Sequence, residues 1–315
     1  MCRCLYCYKE LKNGEKDFHP ACLRRFFGTN TIPLFDYTRA DMDRLATEVI
    51  ATQTTLTGVQ PKISLHLQDH AGSKRLTIVG LWGGYIFKPQ TDDYPHLPEV
   101  EDLTMHLAEQ SKIEVVPHTL IRLADGELGY ITRRIDRHTD NTKIAMEDLC
   151  QLSERQTEYK YKSSYEQVAK VIAHYSATPI LDVMRYYELL LFCWITGNND
   201  MHLKNFSLYC PTETGHILTP AYDLLNVVIV NPKDTEELAL TLNGKKRKLT
   251  RADFEKAMLG CGMNEKVVSN IFRKFEKIYP VWESTIRSSF LPQEMQDRYW
   301  NLVQERMQRI EHDRI

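Results

Sequence analysis

Thr196-Gly197-Asn198-Asn199-Asp200-Met201-His202-Leu203-Lys204-Asn205-Phe206-Ser207 is the stretch on which the reading of this chain turns. Just before it, residues 182–195 read Asp-Val-Met-Arg-Tyr-Tyr-Glu-Leu-Leu-Leu-Phe-Cys-Trp-Ile, apolar on nearly every side in the second half. That pattern predicts a helix buried in a large lobe. Gly197 ends the helix. A polar loop follows, and residues 206–209 predict a short strand. Asp200 and Asn205 therefore stand on a loop braced by rigid elements on both sides, which suits groups that must be held in place for chemistry. The plainer reading is a polar surface turn.

An Asp followed five residues later by an Asn is the spacing of the protein-kinase catalytic loop. There the Asp accepts the proton of the attacking hydroxyl and the Asn holds Mg²⁺. A second acid, Asp223, follows in Thr219-Pro220-Ala221-Tyr222-Asp223, where a metal-binding Asp is needed. The spacing alone is weakly specific; its context gives it weight.

The totals narrow the classes. A chain of 315 residues is long enough for two lobes with real cores. Lys plus Arg is 40 and Asp plus Glu is 42, a net charge of −2, which argues against bulk non-specific nucleic-acid binding. No apolar run is long enough to span a membrane. The start, Met-Cys-Arg-Cys-Leu-Tyr-Cys, has no signal-peptide core, so a cytoplasmic location is expected. Eight Cys in that setting are expected as thiols or metal ligands rather than disulfides.

Four of the eight lie in the first 22 residues. Cys4-Leu-Tyr-Cys7 and His19-Pro-Ala-Cys22 have knuckle spacing, which points to Cys4, Cys7, His19 and Cys22 around one tetrahedral Zn²⁺, with Cys2 left over. Four protein ligands leave no open position, so the expected role is structural. So small a segment needs a metal to supply its folding energy. The alternative is two unrelated Cys pairs. Cys150, Cys193, Cys210 and Cys261 are scattered and read as core or surface thiols.

Along the chain, residues 38–50 predict a helix started by Thr38 and Asp41. Residues 63–67, 75–79 and 85–88 predict strands, and 98–109 a helix. Residues 118–123 and 128–135 predict two more strands joined by Asp125-Gly126. Helices are predicted over 163–176, 182–195, 250–259, 264–279 and 292–310, with short β segments between 206 and 242. The expected organisation is a small knuckle (1–30), a β-rich N-lobe (31–145) and a helical C-lobe (146–315). The expected fold class is α+β, bilobal and protein-kinase-like.

A kinase also needs a loop over the phosphates, a Lys to hold them and a carboxylate to orient that Lys. Lys88 ends the strand Tyr85-Ile86-Phe87-Lys88, and Glu101 lies on the next helix. Taken alone, the two are equally a strand-end Lys and an exposed helix Glu. The phosphate loop falls in 54–62, with one Gly (Gly58) and the closely spaced Thr54, Thr55 and Thr57. Backbone N–H groups there are candidates to face phosphate. A phosphate on Thr55 or Thr57 would place negative charge where ATP phosphates bind.

Together these pieces resemble the HipA family of serine/threonine-kinase toxins of bacterial toxin–antitoxin modules. The residues that carry the resemblance are Thr57-Gly58-Val59-Gln60-Pro61-Lys62, Ile86-Phe87-Lys88-Pro89, Arg134-Ile135-Asp136-Arg137, the stretch 197–207, and Leu218-Thr219-Pro220-Ala221-Tyr222-Asp223-Leu224-Leu225. The resemblance covers about residues 50–310. It implies Asp200 as catalytic base and Asn205 and Asp223 as Mg²⁺ ligands. Lys88 would hold the ATP phosphates, oriented by Glu101. Thr57, Gly58, Lys62 and His202 would lie on the nucleotide, with Arg134 and Ile135 near the adenine. Thr55 and Thr57 fall where short, HipT-like members autophosphorylate.

The chain departs from the family in having only about 50 residues before the phosphate loop. It therefore resembles the short form, whose missing N-terminal subdomain can be a separate small protein. Arg133 stands where an acid is common, so adenine contacts would come largely from backbone.

The expected activity is Mg²⁺-ATP-dependent phosphorylation of a protein Ser/Thr hydroxyl, with a translation component, most often an aminoacyl-tRNA synthetase, as the implied target. The implied partner is a HipB-like, DNA-binding antitoxin, with DNA contacted only through it and no membrane involved. Two other readings stay open: a small-molecule kinase of the same fold, and a non-catalytic DNA- or partner-binding subunit using the knuckle and Lys245-Lys246-Arg247-Lys248. That basic run is equally a solvated loop.

Overall fold

The alternation of apolar and polar residues from Ile63 produces a sheet with one buried face. In the computed structural model, which describes residues 2–52, 61–70, 72–80, 83–138 and 142–312 (side chains of 46–52 and 312 excepted), five strands form it. They are β1 (Ile63–His70), β2 (Ser73–Ile78), β3 (Tyr85–Lys88), β4 (His118–Arg122) and β5 (Leu128–Arg133). All neighbours are antiparallel, in the order β2-β1-β3-β5-β4. The register sets Lys88 opposite Tyr130. Gly129 has no room for a side chain, because a Cβ would lie 2.3 Å from the Phe87 ring.

The described chain divides into two units. The first comprises Met1–Leu103, Val116–Lys143 and Ser288–Leu291; the second comprises Thr104–Val115, Ile144–Arg287 and Pro292–Ile315. In the first, α1 (Pro20–Phe27), α2 (Arg39–Thr52) and the start of α3 (Leu97–Gln110) accompany the sheet, the rest of α3 from Thr104 being grouped with the second unit. The Thr38–Asp41 start of α2 forms as expected: the Asp41 carboxylate accepts from the Thr38 N–H at 3.0 Å and its hydroxyl at 2.7 Å. The helix α1 was not expected from the sequence. Pro20 at its first turn and Gly28 in the left-handed conformation at its end delimit it. Its buried Leu23, Phe26 and Phe27 share one apolar core with Cys4, Leu5, Leu65, Phe87 and Ile131. The N-terminal segment is thus packed into the same core as the sheet.

The second unit is helical, with α4 (Leu149–Leu152), α5 (Tyr165–Tyr175), α6 (Pro179–Ile195), α7 (Val227–Val230), α8 (Arg251–Gly260), α9 (Glu265–Arg287) and α10 (Gln293–His312). A small antiparallel sheet joins β6 (Met146–Asp148), β7 (Ser207–Tyr209) and β8 (Ile217–Leu218). The helix α9 runs eight residues past the expected end at 279 and straight through Pro280. Buried Trp282 and Ile286 beyond the Pro hold the extension in place, so packing outweighs the lost backbone hydrogen bond.

The helix α6 is the platform of this unit. At its start, the Asp182 carboxylate accepts from Ser176 Oγ (2.6 Å), Thr178 Oγ1 (3.2 Å) and the Leu218 N–H (2.9 Å), tying it to β8. From Leu189 to Ile195 every residue is buried, as the all-round apolar pattern predicts. Near its end, Trp194 Nε1 donates to Glu237 at 3.1 Å, and Arg306 and Arg309 reach the same carboxylate at 2.8 and 3.1 Å. Burial alone would raise the Glu237 pKa. Arg309, Trp194 and Arg306 overcome that and hold it at about 2.

Candidate active site

Gly197 turns the chain out of α6 at φ +76, a conformation that favours glycine. A Cβ there would also meet Leu302 at 2.5 Å and Asn226 Oδ1 at 2.6 Å. The loop that follows is held mostly by its own polar groups. The Asp200 N–H points to Asn198 Oδ1 at 3.4 Å. Asn199 Nδ2 donates to Asp234 (3.1 Å) and to the Glu236 carbonyl (2.8 Å). Buried Tyr165, the first residue of α5, donates its Oη to the Met201 carbonyl at 3.1 Å.

Asn205 Nδ2 donates to the Asp200 carbonyl at 3.0 Å, so the two expected site residues are joined directly. With its NH₂ so engaged, the other side-chain atom of Asn205 is an oxygen, the donor type Mg²⁺ takes. Asp223 follows β8 with φ 55, a left-handed backbone that a non-Gly residue adopts only where the surroundings hold it. The segment before it is fixed on both sides. The Ala221 N–H donates to the Glu114 carbonyl at 2.8 Å. Tyr222 Oη lies 2.6 Å from Ser207 Oγ and donates to the Lys204 carbonyl at 3.3 Å.

His202 is buried within the loop, and burial pushes its pKa below the usual value despite the nearby Asp200 and Asp223 carboxylates. Its ring is therefore neutral at pH 7. It packs edge-on against Tyr161 at 5.1 Å.

Tyr161 is a site residue that the sequence reading missed. Its hydroxyl donates to Asp200 Oδ1 at 2.7 Å. Burial and that carboxylate both push the Tyr161 pKa up, so it stays a donor. The turn carrying it is pinned to the loop by the Leu203 N–H donating to the Lys160 carbonyl at 3.2 Å. Nothing in the local pattern Glu158-Tyr159-Lys160-Tyr161-Lys162 marks one Tyr over the other.

In the first unit, Lys88 and Glu101 meet as expected: Nζ to Oε1 is 2.5 Å, and the side chains are 4% and 2% exposed. This is a buried ion pair rather than the surface Lys and Glu that the residue types alone also allowed. The Lys88 ammonium also lies 5.3 Å from the centre of the Tyr130 ring. Lys62 stands exposed just before β1. Thr54, Thr55, Thr57 and Gly58 lie outside the described residues.

Arg134 makes a two-pronged ion pair with Asp136 at 2.8 and 2.6 Å, and its N–H donates to the Gly84 carbonyl at 2.9 Å. Burial would raise the Asp136 pKa; Arg134 and Arg137 more than offset it and lower it. Ile135 follows Arg134 and is half-buried. The Arg133 guanidinium donates to the Phe26 carbonyl on α1, so it braces the N-terminal helix.

The sequence-predicted metal set also assembles. The ligand atoms of Cys4, Cys7, His19 and Cys22 all lie within 4.8 Å of one another. Zinc–sulfur distances of about 2.3 Å give tetrahedral edges of roughly 3.8 Å, so the spacing and the S/N donor set both fit Zn²⁺. His19 Nδ1 lies 3.4 Å from Cys7 Sγ and 3.8 Å from Cys22 Sγ. Its Nε2 lies 2.9 Å from the Glu10 carbonyl, the outer contact that fixes a ligating imidazole. Cys2 is exposed, and Cys150 and Cys193 are buried thiols.

The basic run is partly engaged in ion pairs: Lys245 with Asp253 at 2.8 Å and Lys246 with Glu236 at 3.0 Å. That weakens the reading of it as a DNA contact.

Comparison with known proteins agrees with the fold. A Haemophilus influenzae protein named "Putative kinase" is 24% identical over 270 residues, covering 76% of each chain. Two Sinorhizobium fredii proteins, "Putative kinase Y4dM" and "Putative kinase Y4mE", are 30% and 31% identical over 74% and 63% of this chain; the chain spans 60% and 48% of their lengths. Among solved structures, HipA from a Shewanella oneidensis HipA–HipB–operator DNA complex superposes with TM-score 0.70 at 19% identity, over 96% of this chain and 80% of that one. The Helicobacter pylori proinflammatory kinase CtkA superposes with TM-score 0.53 at 13% identity, over 78% of this chain and 93% of that one. The fold is thus α+β and kinase-like. The model of the HipA-like C-terminal domain matches residues 54–282, most of the chain, and the protein belongs to that family.

Proposed function

We propose that this protein transfers the γ-phosphoryl group of ATP to a Ser or Thr hydroxyl of another protein, and that it is the toxin of a bacterial type II toxin–antitoxin module. The observation that carries the chemistry is the Asp200–Asn205 loop, with its carboxylate held by Tyr161. Asp200 accepts the proton of the acceptor hydroxyl while the hydroxyl oxygen bonds to the γ-phosphorus; the bond to the β–γ bridging oxygen breaks and ADP leaves. Lys88, oriented by Glu101, holds the nucleotide phosphates. Asn205 and Asp223 supply oxygen donors for Mg²⁺, which neutralises phosphate charge when bound. His202, neutral through burial, is a nucleotide contact that adds no charge of its own. Lys62, Thr57 and Gly58 form the phosphate loop, with Thr55 and Thr57 as self-phosphorylation sites. Arg134 and Ile135 serve the adenine, chiefly through backbone.

Cys4, Cys7, His19 and Cys22 hold a structural Zn²⁺. The N-lobe runs over 31–145 and the C-lobe over 146–315, with the knuckle ahead of them. The Shewanella relative's complex supports a HipB-like antitoxin as partner and DNA contact through it. A separate protein like the HipA N-terminal subdomain is a second partner. The target is a translation component, an aminoacyl-tRNA synthetase. A cytoplasmic location is part of the same proposal; among the described residues no helix is long and apolar enough to cross a membrane.

The test is incubation of the purified chain with γ-labelled ATP, Mg²⁺ and cell lysate. A discrete labelled protein, absent with Asp200→Asn, supports the proposal. Label confined to small molecules would replace it with a small-molecule kinase, and no transfer at all would refute it.

A further inference from the structure

The metal knuckle reaches the nucleotide-side residues through a buried polar chain. Tyr8 directly follows the ligand Cys7. It has φ 61, and its N–H donates to the carbonyl of the ligand Cys4 at 2.9 Å. Its backbone is therefore shaped by the segment that the metal closes. Its ring is buried, and its hydroxyl donates to Asp102 Oδ2 at 2.8 Å.

Asp102 is fully buried on α3, next to Glu101. Its other oxygen lies 2.7 Å from Nδ1 of buried His118 on β4. The His118 ring stacks on Tyr130 at 6.0 Å, and Tyr130 faces Lys88. A buried carboxylate must be met on its oxygens, so Asp102 ties the rotation of α3 to Tyr8 on one side and His118 on the other. Glu101, one residue along the same helix, is aimed by that rotation.

We propose that Tyr8 is a positioning residue through which metal occupancy of the Cys4–Cys7–His19–Cys22 site sets the Lys88–Glu101 pair, and with it the affinity for nucleotide. The knuckle is then a part of the nucleotide site rather than a staple for the N-terminus alone. The inference rests on the nucleotide-binding role proposed above.

The test compares the full-length wild type, Tyr8→Phe and Leu76→Val, each zinc-loaded and after chelation. Leu76 lies in the same apolar core and makes none of these polar contacts. The readouts are Mg-ADP affinity by calorimetry and hydrogen exchange across residues 97–110. Tyr8→Phe is expected to weaken ADP binding about fivefold, the worth of one buried hydrogen bond, and to speed exchange in that helix. Leu76→Val is expected to stay within about twofold for ADP. Chelation is expected to weaken the wild type at least as much as Tyr8→Phe does, and to add little in Tyr8→Phe, because both act through one contact. Chelation effects of equal factor in both proteins, or a Tyr8→Phe indistinguishable from Leu76→Val, would overturn the inference alone. Failure of the wild type to bind Mg-ADP would overturn the proposed function and the inference with it.

Discussion

The Lys88–Glu101 pair allows stability and activity to be separated by substitution. Both side chains are almost wholly buried, at 4% and 2% exposure, and 2.5 Å apart. Lys88→Met would leave the Glu101 carboxylate in a dry site without its ammonium partner. Breaking a buried pair from one side costs about 3–5 kcal/mol. At about 2–4 °C per kcal/mol, that is a fall in Tm of roughly 10 °C. Lys88→Met with Glu101→Gln removes both charges and keeps the volumes close. That double variant should return to within about 2 kcal/mol of wild type, well short of the sum of the two single losses. Contacts that either side chain makes with other groups are lost equally in its single variant and in the double, and so cancel in the cycle.

The assay is urea unfolding of the four proteins beside phosphotransfer from Mg-ATP. Stability should recover in the double variant while phosphotransfer stays lost in it and in Lys88→Met, where the phosphate-holding cation is gone; in Glu101→Gln phosphotransfer should fall because that cation has lost the carboxylate that orients it. Stability losses that simply add would refute the claim that the two groups form one buried pair.

Other consequences are measurable. Tyr161→Phe removes a hydrogen bond to the Asp200 carboxylate and should lower kcat about 5–30-fold, from about 1–2 kcal/mol at a partly exposed site, with little change in KM for ATP. An unchanged kcat would remove Tyr161 from the site. Glu237 has a folded pKa of about 2, below its ordinary value, so the stability it lends is complete above about pH 4.5 and is lost as pH falls towards 2. The gap in Tm between wild type and Glu237→Gln should therefore close over that window; a constant gap would contradict the arginine-held carboxylate.

The parts of the site legible in the sequence were those written at short spacing. Asp200 and Asn205 lie on one loop, Cys4 and Cys7 on one turn, and His19 and Cys22 at the start of one helix. Lys88 and Glu101, 13 positions apart, were found because Lys88 ends a strand and Glu101 lies on the next helix, the order a kinase needs. The residues missed act across long separations. Tyr161 meets Asp200 across 39 positions and Tyr8 meets Asp102 across 94, and no periodicity records such contacts. Strand and helix positions followed from alternation and caps. Pro280 marked a stop that the packing of Trp282 and Ile286 overrode. The helix α1 is short enough that its amphipathic signal was hidden among the Cys and His residues around it.

The central claim is phosphoryl transfer that depends on Asp200. Its most direct test is intact-mass spectrometry of the full chain and of Asp200→Asn, each before and after Mg-ATP with lysate present, followed by mapping of any phosphate. The account predicts phosphate gained by the wild type at Thr55 or Thr57 and on a lysate protein, and none with Asp200→Asn. Equal phosphate with both proteins, or none with either, would contradict it.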